Sequence, residues 1–318
     1  MRRENVAIVF PGQGSQYIGM GKDLYDNFQT AKLVFQEVDD AIGQKLSDLI
    51  FYGDKNLLNL TENAQPAIMA CSIAAYRVLA EINRATSMVQ LCSASAGHSL
   101  GEYSALCAAG ALSLTDTARL LKKRGLAMQD AVPIGTGGMS ALLGIDIDTA
   151  SQIAIEAEKY GTCEVANDNC HGQIVISGHV KALEYAESIA RQYGCKKAIR
   201  LSVSAPFHCA LMHPAAKIME QELLNTNFRS PAVPIVSNYT ARPNISTVQI
   251  PQLLTGQISN VVRWTESITL ISTRYNIKHF IECGPGKVLS GLISRILIQT
   301  DCKQASSKED LENIENIV

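Results

Sequence analysis

The first hydrophobic feature of the chain is a short continuous apolar run, Val6–Phe10, that stops at Pro11-Gly12-Gln13-Gly14-Ser15-Gln16. A run of that length bounded by turn residues predicts a buried strand feeding a loop. From Pro66 to Leu79, apolar and small residues (Ala67, Ile68, Ala70, Cys71, Ala74, Ala75, Val78) fill most positions. That pattern predicts a largely buried helix with Pro66 near its first turn. A small-residue strand is expected around Val89–Ala96, leading into Gly97-His98-Ser99-Leu100-Gly101. The helix after it carries Tyr103, Leu106, Cys107 and Ala109, and Gly110 is placed to end it. Thr115-Asp116 opens another helix that runs to about Asp130. Strands alternating with helices imply a parallel sheet covered on both faces.

The grain changes in the middle of the chain. Gly137–Ile145 reads as a strand, and Asp148 is expected to cap a helix carrying Ile153, Ala154 and Ala157 that stops at Gly161. Strands follow at Thr162–Ala166 and Gln173–Ser177, joined by the turn-rich stretch Asn167–Gly172. A helix with Ala182, Leu183, Ala186, Ile189 and Ala190 ends near Gly194, before a strand at Lys197–Val203. The order β-α-β-β-α-β is the ferredoxin-like pattern, read as a small domain inserted into a larger one. Beyond it, Val233–Ser237 and His279–Cys283 are expected strands, and Val288–Ile298 a helix. The fold class expected is therefore α/β, a hydrolase-like parallel-sheet core with an inserted ferredoxin-like domain. The division is 1–132 and 205–302 for the large domain, 133–204 for the small one and 303–318 for a polar, frayed tail or short surface helix.

Composition narrows the function classes. With 318 residues, 47% hydrophobic and 18% charged, the chain is an ordinary globular protein large enough to bury roughly three quarters of its unfolded surface. A net charge of −2 gives no global field for nucleic acid or an anionic membrane. Basic residues cluster only locally, at Lys122-Lys123-Arg124 and at Lys196, Lys197 and Arg200, where a solvated face is the plain reading. Nine cysteines, scattered singly and without CxxC or zinc-ligand spacing, point to reduced thiols in a cytoplasmic protein and to no metal site. The apolar run after Met1-Arg2-Arg3-Glu4 is too short for a signal peptide, and no run reaches transmembrane length.

Candidate chemistry centres on Ser99. Gly97-His98-Ser99-Leu100-Gly101 fits GxSxG between a candidate strand and a helix, where glycines permit a sharp turn and the serine stands at a helix N-terminus. Leu100, the next residue, supplies one oxyanion-hole N–H in that geometry, and the other must come from a neighbouring loop. The glycine loop at 12–16 fails the dinucleotide pattern, because Tyr17 stands where a small residue is needed. Donating backbone N–H groups to an oxyanion suits it better. A serine nucleophile needs a base. Of the six histidines, His98 diverges from Ser99 on such a turn, while His208 lies where the chain leaves the small domain, a place where clefts form. A structural histidine remains the competing reading. Arg124 shares a helix face with Leu120, Leu121, Ala127 and Met128, and an arginine in an apolar stripe needs an anion. That anion is either a protein carboxylate or the carboxylate of a substrate held by the planar fork.

The ordered segments resemble the malonyl-CoA:acyl-carrier-protein transacylases of fatty-acid synthesis over nearly the whole chain. The matching stretches are FPGQGSQ (10–16), ENAQP (62–66), GHSLGEY (97–103), KKRGLAM (122–128), NDNCHGQIVISG (167–178), APFHCALM (205–212), QISNVVRWTES (257–267) and ECGPGKVLSGL (282–292). The resemblance implies Ser99 as acyl carrier, His208 as base, and the N–H groups of Gln13 and Leu100 as the oxyanion hole. It further implies that Arg124 holds the malonyl carboxylate and that the backbone carbonyl of Gln257 orients the histidine in place of an acid. Asn167 falls in a family motif facing the cleft, and Phe207 matches the pattern that selects malonyl over its α-methyl homologue. The implied partners are malonyl-CoA and an acidic acyl-carrier protein that lands on one of the basic clusters. The implied molecule is a cytoplasmic monomer using no metal, flavin or nicotinamide. The rivals are a serine thioesterase or lipase-type hydrolase, a free-standing polyketide-type acyltransferase, and a non-catalytic scaffold.

Overall fold

The structure, a computed structural model, describes residues 5–298 and 300–314. Its strands, in chain order, are β1 (Val6–Phe10), β2 (Ala94–Gly97), β3 (Gly137–Leu143), β4 (Cys163–Cys170), β5 (Gln173–His179) and β6 (Lys197–Arg200). They continue with β7 (Ile235–Val236), β8 (Pro243–Asn244), β9 (Val262–Arg263), β10 (His279–Cys283) and β11 (Asp301–Ala305). One sheet has the order β11-β10-β1-β2-β7-β8, parallel except for the antiparallel β7–β8 edge. The side-chain period of two divides β1 between two cores. Val6, Ile8 and Phe10 pack with the helices Thr61–Ile82 and Leu114–Asp130, while Ala7 and Val9 pack with Trp264, Ile268 and Phe280 on the opposite face.

A second sheet has the order β6-β3-β5-β4-β9, antiparallel apart from the parallel β4–β9 pair. The helices Ile147–Ala157 and Val180–Ile189 cover one face of it through Ile153, Leu183 and Ile176. Its other face sends Met139, Ala141 and Val175 into the main core. β9 belongs to the chain after the second sheet's other strands, so it ties the two sheets together through Asn167↔Val262.

Several expectations are corrected. The strand before Ser99 covers only Ala94–Gly97, because Met88–Gln90 form a 3₁₀ turn. The helix expected from Pro66 begins at Thr61, and Pro66 lies inside it. Asp146, not Asp148, caps its helix by accepting the Thr149 N–H at 2.9 Å. The stretch read as a turn at 167–172 is mostly strand: β4 continues to Cys170 through two irregularities in register, and only His171 and Gly172 turn. β6 and β7 are shorter than expected, at Lys197–Arg200 and Ile235–Val236. Of the two readings for 303–318, the frayed tail fails over 303–314, while a short helix does form at Lys308–Ile314. β11 pairs in parallel with β10 along five residues, and the helix Lys308–Ile314 buries Leu311 and Ile314. Residues 1–4 and 315–318, on which the leader and tail readings also rest, lie outside the described residues.

Candidate active site

Ser99 sits at the turn between β2 and the helix Leu100–Ala108, with φ 53° and ψ −112°. An L-residue holds that conformation only where its surroundings enforce it. The glycines on either side make the turn possible. A Cβ on Gly97 would fall 1.9 Å from Gly101, and one on Gly101 would fall 2.2 Å from the Phe10 carbonyl oxygen. Asn238 then clamps the turn, accepting the Ser99 N–H at 2.6 Å and donating to the Gly97 carbonyl at 2.7 Å. Leu100 is the first residue of its helix, so its N–H has no intrahelical acceptor.

The Ser99 hydroxyl lies 2.8 Å from His208 Nε2, and His208 Nδ1 lies 2.8 Å from the Gln257 carbonyl oxygen. A carbonyl can only accept, so Nδ1 carries the proton and Nε2 presents a lone pair to the serine. Burial, followed by the neighbouring Arg124 charge, pushes the His208 pKa down to about 3. The imidazole is therefore a neutral acceptor at physiological pH. His208 also has a positive φ, 59°, and is 4% exposed.

Arg124 is 1% exposed. Its Nη1 donates to Gln65 Oε1 at 2.6 Å, and its Nη2 to Gln257 Oε1 at 2.9 Å and to Ser99 Oγ at 3.1 Å. Its Nε has no hydrogen-bond partner among the described residues, and the Tyr103 ring lies 5.6 Å from the guanidinium. Amide oxygens and a hydroxyl therefore surround the cation, and the reading of a protein salt bridge is not what the structure contains. Glu102 acts on it electrostatically, after Tyr103, but bonds elsewhere: its Oε2 accepts from Gln257 Nε2 at 2.7 Å and from the Asn238 N–H at 3.0 Å. Burial raises the Glu102 pKa to about 7.

Ser99, His208, Arg124 and Gln65 line a cleft of ≈ 210 Å³ between the two sheets, with Gln13, Asn167 and Phe207 in its wall. Gln13 Oε1 accepts a hydrogen bond from Thr61 Oγ1 at 2.9 Å. Asn167 reaches the wall from β4, whose apparent turn residues thus face a cleft instead of solvent. His98 points away from the Ser99–His208 pair, as expected, bonding Asn169 Oδ1 at 2.8 Å and tilting against Trp264. Of the basic cluster at 122–124, Lys123 is exposed and Lys122 half-buried. Arg124 is buried, Lys122 bonds Gln44 and Asn63, and Lys123 lies 3.5 Å from Glu222. The sequence reading missed Asn238, Glu102 and the side chain of Gln257, whose amide also donates to the Ser99 carbonyl at 3.0 Å. A lone glutamate within the otherwise apolar helix Leu100–Ala108 was a usable signal; Asn238, in a loop 139 residues from Ser99, offered none.

An oxygen placed in this way is disposed to attack an acyl carbonyl while the imidazole takes its proton. The chain belongs to the acyl transferase domain family, whose model matches residues 7–311, and within it to the malonyl CoA-acyl carrier protein transacylases. The Bacillus subtilis malonyl CoA-acyl carrier protein transacylase is 43% identical over 308 residues, covering 96% of this chain and 95% of that protein. The Escherichia coli K12 transacylase is 40% identical, covering 92% of each. Among solved structures, the acyl-carrier-protein-S-malonyltransferase of Bartonella henselae superposes with a TM-score of 0.93 at 47% identity, covering 98% of this chain and 99% of that one. A malonyl-transacylase solved in complex with a type II PKS acyl-carrier protein superposes at 0.94 and 37% identity, over 99% of this chain and 100% of that one.

Proposed function

We propose that the protein transfers a malonyl group from malonyl-CoA to the phosphopantetheine thiol of an acyl-carrier protein through a malonyl ester on Ser99. The observation that carries this reading is the Arg124 fork. A buried cation, 3.1 Å from the hydroxyl and without a protein carboxylate, is suited to an acyl group that brings its own. His208 Nε2 removes the hydroxyl proton as Ser99 Oγ bonds to the thioester carbon. The N–H groups of Gln13 and Leu100 receive the oxyanion. Collapse of the intermediate expels the coenzyme A thiolate, which takes the proton back from His208. The carrier thiol then attacks the ester by the same steps in reverse order, and no metal or redox group enters them.

Phe207, 6% exposed beside His208, narrows the wall where an α-methyl branch would stand and favours malonyl over methylmalonyl. Asn167 is assigned a supporting role in the same wall. Residues 133–204 are read as a ferredoxin-like domain inserted between 1–132 and 205–302, supported by the strand order β6-β3-β5-β4 with two helices on one face.

Replacing Arg124 with alanine tests the reading against a serine hydrolase, which has no use for the cation. Malonyl transfer should fall at least ~100-fold, the loss expected when one partner of a buried ion pair is removed (about 3 kcal/mol). Loading from an uncharged acyl thioester should fall far less, by no more than about tenfold, because Arg124 also orients the side chains around Ser99. Equal losses for both would contradict the assignment.

A further inference from the structure

Thr61 is 1% exposed, and its hydroxyl stands between two side chains that serve different ends of the site. It accepts from Gln65 Nε2 at 3.0 Å and donates to Gln13 Oε1 at 2.9 Å. The directions are not free. A guanidinium only donates, so Gln65 must turn its oxygen to Arg124 Nη1, 2.6 Å away, and its nitrogen to Thr61. The hydroxyl oxygen is then an acceptor, and its single proton has Gln13 Oε1 as its outlet. Arg124 thus fixes the polarity of a chain that ends on the loop after β1. Packing holds its members in place. Gly125 lets the two helices touch, since a Cβ there would lie 2.7 Å from the Thr61 carbonyl oxygen and 2.5 Å from Glu62 Cα.

The loop at the far end has few other anchors. Gln13 stands between Gly12, which packs against the His98 carbonyl, and Gly14, which has φ +102°. Ser15 bonds back to Gly12 within the loop at 2.8 Å, and Gln16 bonds Asn59 from an exposed position. The Gln13 side chain is the loop's half-buried tie to the helix Thr61–Ile82.

We infer that Thr61 is a positioning residue for acyl transfer: its hydroxyl, oriented from Arg124 through Gln65, holds Gln13 so that the Gln13 N–H meets the developing oxyanion. This rests on the reading of Gln13 as an oxyanion donor. The consequence is that carboxylate recognition and oxyanion stabilisation share one hydrogen-bonded chain. Removing an oxyanion donor outright costs 10²–10³ in rate, so misplacing one should cost roughly tenfold.

Single-turnover acylation of Ser99, followed by quenched intact mass, reads this directly. Thr61→Val keeps the shape and deletes the hydroxyl, so acylation should slow about tenfold for both malonyl-CoA and an uncharged acyl thioester, with KM little changed. Thr61→Ser restores the hydroxyl and should recover most of the rate. Gln13→Leu removes the acceptor and should slow acylation equally, and the double variant should be no slower than either single one. Wild-type rates in Thr61→Val, equal slowing in Val and Ser variants, additive losses, or a loss confined to malonyl would each overturn the inference. If Thr61→Val does not fold, a wild-type rate in Gln13→Leu overturns it alone. Failure of the malonyl assignment is read separately, as wild-type acylation by an uncharged thioester that matches acylation by malonyl-CoA, an outcome that leaves the Thr61 comparison intact.

Discussion

Ser99 and His208 both hold positive φ, and their side chains meet at 2.8 Å. Neither residue chooses that backbone for itself; Asn238 fixes one and the Gln257 carbonyl holds the ring of the other. Burying a neutral imidazole has a consequence for stability. Its folded pKa, about 3, lies below the unfolded value near 6.5. The group therefore favours the folded state fully above pH 6.5 and loses that contribution as pH falls towards 3. Glu102 acts in the opposite sense, its pKa of about 7 favouring folding below the ordinary carboxylate range and losing that contribution as pH rises through 7. Replacing His208 with asparagine should make the fall in Tm between pH 7.5 and 5 shallower, by the equivalent of roughly 2 kcal/mol. Parallel melting curves for the two proteins would count against the buried neutral base. At this scale Ser99, His208 and Arg124 were legible, because a motif, a domain junction and an apolar stripe each leave a local mark. What faces Arg124 was not. Periodicity reports that a side chain is buried, and the identity of its neighbours is tertiary: Gln257 lies 133 positions away.

The elements owe their placement to close backbone contacts that the pattern of apolar residues only hints at. Gly101 lets the helix Leu100–Ala108 sit directly on β1, and this sets the Ser99 turn against the loop that carries Gln13. Gly101→Ala would drive a methyl into the Phe10 carbonyl, so overpacking should cost about 1–3 kcal/mol and lower Tm by several degrees. An unchanged melting temperature would mean that this contact is looser than the geometry describes. Where strands were misread, the cause is physical. Asn167, Asp168 and Asn169 look like turn residues because polarity usually marks solvent, yet here β4 turns Asn167 and Asn169 to a cleft and pairs through Asp168 with β9. The second half of β11 reads as tail because Lys303 and Gln304 are exposed or half-buried on a sheet edge, where charge guards against further pairing.

At the scale of the whole molecule, the parallel sheet supplies Gln13 and Ser99 from beyond the ends of β1 and β2, while the second sheet walls the cleft with Met139, Asn167 and Val175. Neither sheet makes the site alone, and β9 joins them at Asn167. The alternation of strands and helices and the change of grain near residue 137 made this division readable in the sequence. The crossing of β9 into the second sheet was not, because a two-residue strand carries no periodic signal. The no less important point for function is that helices from the large part bring Arg124 to within 3.1 Å of Ser99 Oγ, so the acyl group carried should be one with a carboxylate. That claim meets its most direct test in the intact mass of the protein after mixing with malonyl-CoA. The wild-type chain should gain one malonyl group and lose it on addition of a carrier-protein thiol, and Ser99→Ala should gain none. A malonyl adduct on the alanine variant at the wild-type level would contradict the account.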